Sequence, residues 1–297
     1  MKTRVMILLL IAISIACLAQ HAPLHAADRL QVVVSIPPQT YFVHQIGGDL
    51  VDVMSMLPEG AFPHTFEPTA KQMKLLSTAD MYVRIRVEFE NAWWEKIRAA
   101  NPDMHVIDST TGITFIEGET EHHDTAETHH HHGHHGRDPH TWLSPSLVKI
   151  QAEAICDGLI HLDPQHQGTY LAQKQTFLNA LDTLDQDLRE MFVDLPTRTF
   201  MVFHPSWAYF AKAYNLTQIS IEIEGKEPSV AEMAELMKIA QQEQISTIFV
   251  QPQTSRRSAE IIARQIGASL EGLNPLAADW MENMRRVAKK LVAALGQ

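Results

Sequence analysis

The sequence predicts an α/β protein of two lobes, each a small parallel sheet flanked by helices, joined by one long rigid helix. Three observations carry this expectation. Short β-rich runs alternate with longer helical patterns, which implies parallel strands with helices on their faces. The alternation stops and restarts once along the 297 residues. Between the two halves lies a single helical pattern of roughly 26 residues, about 39 Å long at the α-helical rise.

In the first half, residues 30–36 read as a buried strand, 51–57 as a second, 81–85 as a third and 105–107 as a short fourth. Helical stretches fall between them, at 39–46 and 69–77. The long pattern covers 167–192. Its apolar positions Tyr170, Phe177, Leu178, Leu181, Leu184, Leu188 and Met191 are spaced by threes, fours and sevens, so most share one face. Asp194-Leu195-Pro196 ends it. In the second half, strands are expected at 199–203, 218–223, 247–250 and from 269, with helices over 228–241, 255–266 and 279–295. Pro228 and Ser229 suit a helix start, and Glu232 suits its positive end. The expected organisation is therefore a leader at 1–27, an N-terminal lobe at 28–166, a linking helix at 167–195 and a C-terminal lobe at 196–297. A ligand in such a fold sits between the lobes, at the carboxyl ends of the parallel strands.

Lys2 and Arg4 precede a stretch, Met6 to Leu18, that only Ser14 interrupts. A basic start and a short apolar run make a secretory signal peptide, and the run falls short of the about 20 apolar residues that span a bilayer. Small residues at Ala19, Ala22, Ala26 and Ala27 place cleavage before Asp28. Cys17 stands where a lipoprotein cysteine would, but Ser14 replaces the aliphatic residue expected three places earlier. The reading is an exported, periplasmic protein, with a lipid anchor at Cys17 as the lesser alternative. Cys156, in an apolar stretch, reads as a small core residue. With Cys17 gone no intramolecular disulfide can form, so stability must come from a core. The net charge is −11, and losing Lys2 and Arg4 takes it to −13. That argues against nucleic acid and anionic lipid as partners.

Residues 117–136 stand apart. Acidic residues lead into His122, His123, His129, His130, His131, His132, His134 and His135. Such a segment holds too little apolar surface to build a core and reads as a mobile loop. Neutral imidazoles bind zinc, copper and nickel, so the loop reads as an accessory collector of metal.

Three isolated histidines lie elsewhere. His64 lies in Pro63-His64-Thr65-Phe66-Glu67-Pro68, after the second strand. His140 lies in Asp138-Pro139-His140-Thr141-Trp142-Leu143-Ser144-Pro145. His204 lies in Phe203-His204-Pro205-Ser206-Trp207-Ala208-Tyr209-Phe210, where the first strand of the second lobe ends. Any one could be structural; three on separate loops facing one cleft point to a metal. Asp138 and Glu67 are candidates to hold the outer ring nitrogens. Trp93, Trp94, Trp142 and Trp207 read as packing, with Trp142 and Trp207 as walls of the cleft.

These three motifs resemble those of the zinc/manganese solute-binding proteins of ABC importers. The resemblance spans the sequence after the leader in order, and the histidine-rich segment resembles that of the zinc branch. It implies two lobes, a rigid linking helix and a metal in the interlobe cleft, held by His64, His140 and His204. It also implies no enzymatic activity, a monomer, and an ABC permease with its ATPase as partners. Manganese-binding relatives place an acidic residue where His204 stands; three imidazoles favour Zn2+. Many relatives carry an aspartate after the last strand, where this chain has Asn274. Its amide oxygen, a water or a loop histidine could fill that fourth position, with Glu59 a further donor and Asp279 a helix start. Competing readings are a manganese or iron receptor of the same fold, a zinc-dependent hydrolase, and an adhesin or metal buffer. No His-Glu-x-x-His helix supports the hydrolase.

Overall fold

The computed structural model describes residues 29–117, 137–222, 226, 228–253 and 256–296. The leader, Cys17 and the loop histidines from His122 to His135 lie outside the described residues.

Apolar, β-branched runs build eight strands: β1 Leu30–Val34, β2 Val51–Ser55, β3 Met81–Arg84, β4 His105–Asp108, β5 Thr199–Val202, β6 Thr217–Ser220, β7 Thr247–Val250 and β8 Ser269–Gly272. They form two four-stranded sheets, ordered β2-β1-β3-β4 and β6-β5-β7-β8, and every pairing is parallel. Parallel neighbours need crossover connections, and helices supply them: α1 Pro37–Gly47, α2 Ala70–Leu76 and α3 Glu88–Ala100 in the first sheet, α6 Ala208–Ala213, α7 Val230–Gln242 and α8 Arg256–Ile266 in the second; α4 Pro145–Leu162 and α5 Gln167–Met191 lie between the sheets, and α9 Trp280–Leu295 follows the last strand. Helices α3 and α4 are not among those the sequence pattern picks out. Helix starts follow local chemistry. Thr69 Oγ1 accepts from the Gln72 N–H at 3.3 Å while Gln72 Oε1 accepts from the Thr69 N–H at 2.8 Å. Ser229 and Glu232 cap α7 in the same reciprocal way.

Helix α5 is the long link, 25 residues and about 37 Å. It buries Tyr170, Phe177, Leu181, Leu184 and Leu188, the stripe expected of one apolar face. Ion pairs Lys149–Asp182 and Lys174–Glu153 tie it to α4.

Alternation along β5 divides the second lobe. Phe200 and Val202 join a large core that also holds Val34, Phe42, Leu184, Trp280 and Leu291, whereas Met201 and Phe203 face a smaller one with Leu236, Ile248 and Ile262. The large core therefore runs through both lobes. Two indoles pin it: Trp142 Nε1–H donates to the Pro275 carbonyl at 2.7 Å, and Trp280 Nε1–H donates to the Trp142 carbonyl at 2.8 Å. Cys156 is fully buried in this core.

Candidate metal centre

In both sheets the strand order reverses at one gap, between β1 and β3 and between β5 and β7. Crevices open at the carboxyl ends of strands beside such gaps. Glu88 follows β3, His204 follows β5 and Gln251 follows β7. His64 comes from the loop between β2 and α2, and His140 opens the 3-10 turn Thr141–Leu143 that leads into α4.

The three histidines converge. His64, His140 and His204 line one cavity of about 10 Å3, with Phe62, Glu88 and Trp142 among its walls. That is room for about one water or ion. His64 Nε2 lies 3.3 Å from His204 Nε2. Two nitrogens 2.0–2.1 Å from one tetrahedral ion lie about 3.3 Å apart, so this pair is already at a coordination edge. Ring centroids are 4.9 Å apart for His64–His204 and 5.7 Å for His140–His204; two imidazoles on one tetrahedral ion hold theirs about 5 Å apart. Among the described residues no group of three or more His, Cys, Asp or Glu side chains stands close enough together to hold a metal ion as it is.

Each outer ring nitrogen faces a carboxylate. His140 Nδ1 lies 2.7 Å from Asp138 Oδ1, His204 Nδ1 2.7 Å from Glu222 Oε2, and His64 Nδ1 3.5 Å from Glu88 Oε1. A carboxylate there holds the proton on Nδ1 and leaves Nε2 as a lone pair. His204 Nε2 then presents a lone pair toward His64 Nε2, at a spacing that a cation between the two rings also fits. Burial holds the His64 imidazole below its usual pKa; Glu88 opposes that, and His204 and His140 reinforce it. The lowered pKa favours the neutral imidazole, the form that binds a metal.

Asp138 has the expected role, and Asp138 Oδ1 also accepts from the His140 N–H at 2.9 Å. Glu67 is exposed and does not line the cavity. Sequence reading missed Glu88 and Glu222. The parallel register pairs Val202 with Ser220, so two residues further on Glu222 meets His204; that signal was latent in the two strand assignments. Trp142 and Trp207 are both buried, but only Trp142 lines the cavity.

Asn274, the residue expected at the fourth position, lies beside the histidine cavity. Asn274 does not line the histidine cavity. Asn274 Oδ1 accepts from the Leu276 N–H at 3.0 Å, and its carbonyl accepts from Asn283 Nδ2 at 2.7 Å. The Asn-Pro turn spends the side chain on its own backbone. Asn274 lines a neighbouring cleft of about 680 Å3 instead, together with Glu59 and Asp279. Pro275 and Leu276 are the part of this loop that reaches the imidazoles.

The family described as "Zinc-uptake complex component A periplasmic" matches residues 32–294. The chain belongs to this ZnuA family. It is a family of solute-binding receptors rather than enzymes. Over 253 residues the chain is 30% identical to the high-affinity zinc uptake system protein ZnuA of Bacillus subtilis, covering 84% of this chain and 79% of that one. It is 29% identical to the zinc-binding protein AdcA of Streptococcus pyogenes over 93% of this chain, which spans 56% of AdcA. Its fold matches a crystal structure of ZnuA at 47% identity with a TM-score of 0.83, over 90% of this chain and all (100%) of that one. A zinc-bound deletion mutant of ZnuA matches at 45% identity and the same TM-score of 0.83, over 91% and 99%. The laminin-binding protein of Streptococcus agalactiae, described as an adhesin with metal-transporting activity, matches at 27% identity with a TM-score of 0.77, over 90% and 99%.

Proposed function

We propose that this protein is the extracytoplasmic zinc receptor of an ABC importer: it captures Zn2+ in the interlobe cavity and hands it to a membrane permease driven by an ATPase. One observation carries the reading. Two imidazole Nε2 atoms stand 3.3 Å apart, with a third ring beside them and a carboxylate behind each. His64, His140 and His204 are the ligands. A water fills the fourth position, because Asn274, Glu59 and Asp279 border the adjoining cleft. Neutral nitrogen donors favour zinc over manganese, which prefers carboxylate oxygen. The cargo is a bare ion, consistent with the size of the cavity. The receptor works as a monomer in the periplasm, reached through the signal peptide at 1–27. The histidines of 117–136 are an accessory store that raises the local metal concentration.

Calorimetric titration against a competing chelator tests this, using protein without residues 117–136 and the same protein carrying His64→Ala, His140→Ala and His204→Ala. One tight zinc in the first and none in the second is the expected result. Equal binding by both would sink the three-histidine site.

A further inference from the structure

The metal ligands come from both lobes, so some contact across the cleft must set their spacing. We propose that Tyr209 is a positioning residue that fixes the distance between His140 and His204. The inference rests on the zinc-site reading above.

Tyr209 sits in α6, five residues beyond His204, and its side chain is buried. Its hydroxyl accepts from the Ile116 N–H at 2.9 Å and donates to the Asp138 carbonyl at 2.7 Å. Donor and acceptor are both spent, so the hydroxyl has one orientation. Both partners belong to the first half of the chain, and the Asp138 N–H in turn donates to the Ile116 carbonyl at 2.9 Å. The Asp138 backbone is thus held at its N–H and its carbonyl. From that fixed backbone the Asp138 carboxylate accepts from the His140 N–H and holds its Nδ1. An unbroken path of hydrogen bonds runs from α6 to the His140 ring.

The same helix anchors His204. The Ser206 N–H donates to the His204 carbonyl at 2.9 Å, the Trp207 N–H donates to Gln218 Oε1 at 2.7 Å, and the Ala211 N–H donates to the Trp207 carbonyl at 2.8 Å. Both rings are therefore referenced to α6, one through the chain and one through Tyr209. Burial pushes the phenol up to about 12, so the donor persists at every physiological pH. A residue that only filled space would leave these polar groups to other partners. Here removing the hydroxyl strands the Ile116 N–H and the Asp138 carbonyl, the groups that define where Asp138 stands.

The test uses the full chain with less than one equivalent of metal, so that the tightest site fills first. Tyr209→Phe keeps the ring and deletes the hydroxyl. Zinc affinity is measured by chelator competition, release by stopped flow, and site geometry by the visible bands of Co2+ bound in place of zinc. Losing a partner of a ligand's support typically costs ten- to a hundredfold in metal affinity. Tyr209→Phe is expected to lose roughly tenfold, to release zinc faster by a similar factor and to change the Co2+ bands. The control is Tyr214→Phe, which removes a buried hydroxyl bonded to Asp185 at 3.0 Å on the linking helix; it should lower thermal stability and leave all three readouts unchanged. Because Tyr209 acts through Asp138, adding Tyr209→Phe to Asp138→Asn should cost less than the two losses combined. Wild-type affinity, rate and spectrum in Tyr209→Phe, or full additivity with Asp138→Asn, would overturn the proposal. If the triple histidine variant binds zinc as the parent does, the zinc-site reading fails and this inference fails with it.

Discussion

Two nitrogens of the same kind face each other across the cavity, and their carboxylate partners decide what that means. Glu222 keeps the proton on His204 Nδ1, so His204 Nε2 meets His64 Nε2 as a lone pair. Glu222→Gln puts an amide that can also donate in that place and weakens the hold on the tautomer. We expect zinc affinity to fall by roughly ten- to a hundredfold, read by chelator competition, with little change in thermal stability. The three histidines were legible because each stands in an odd, proline-rich setting that no helix or strand explains. Glu88 and Glu222 were not, because their placement depends on which strands become neighbours and in what register. Asn274 sits in an Asx turn, its Oδ1 accepting from the Leu276 N–H, a local arrangement that spacing alone did not show.

At the scale of elements, the strands were readable from their apolar runs, and the observed ends fall within a few residues of the expected ones. Helix α5 was readable from its stripe. Helix α4 was not picked out, although it too buries one face. Val148, Ala152, Ile155 and Leu159 recur at spacings of three and four and lie inside together with Gln151, Cys156 and Gly158; polar Gln151 and small Gly158 on that face dilute its apolar signal. Gly158 is needed there: a Cβ would come within 2.9 Å of Ile107 Cγ2 and Met81 Sδ on the sheet below. The start of α3 carries a buried acid. Glu90 accepts from the Ser35 hydroxyl at 2.5 Å, the Tyr82 hydroxyl at 3.0 Å and the Ile85 and Val87 N–H groups at 3.2 and 3.0 Å. Burial nevertheless raises its pKa from 4.5 to about 6. A folded pKa above the unfolded one stabilises the protein fully below pH 4.5, and that contribution is lost as the pH rises through about 6. The loss amounts to about 2 kcal/mol. Glu90→Gln cannot ionise, so the stability of the wild type relative to the variant should fall by about 2 kcal/mol between pH 4.5 and 7.5. Urea unfolding across that range measures it, and a pH-independent difference would contradict the assignment.

Over the whole molecule, the two lobes are not independent bodies. Helix α9 ends the chain yet buries Trp280 against Phe42 of the first lobe, with ring centroids 5.2 Å apart. The indole bonds of Trp142 and Trp280 cross the same boundary. A shared core makes local opening of one lobe expose apolar surface of the other. Heat should therefore unfold the protein in one cooperative transition, with far-ultraviolet circular dichroism and tryptophan fluorescence giving the same midpoint. Two separated transitions would contradict the shared core. Bound zinc should raise that single midpoint, since it binds only the folded state. The bilobal plan was legible from the restart of the strand–helix alternation. The welding of the lobes was not, because it depends on which face of β5 and α9 turns inward.

The most direct measurement is anomalous diffraction at the zinc edge from crystals loaded with one equivalent of Zn2+. A single strong peak among the Nε2 atoms of His64, His140 and His204 is the predicted result, with each Zn–N distance about 2.0–2.1 Å. A peak in the cleft beside Asn274, or none within reach of the three rings, would contradict the account.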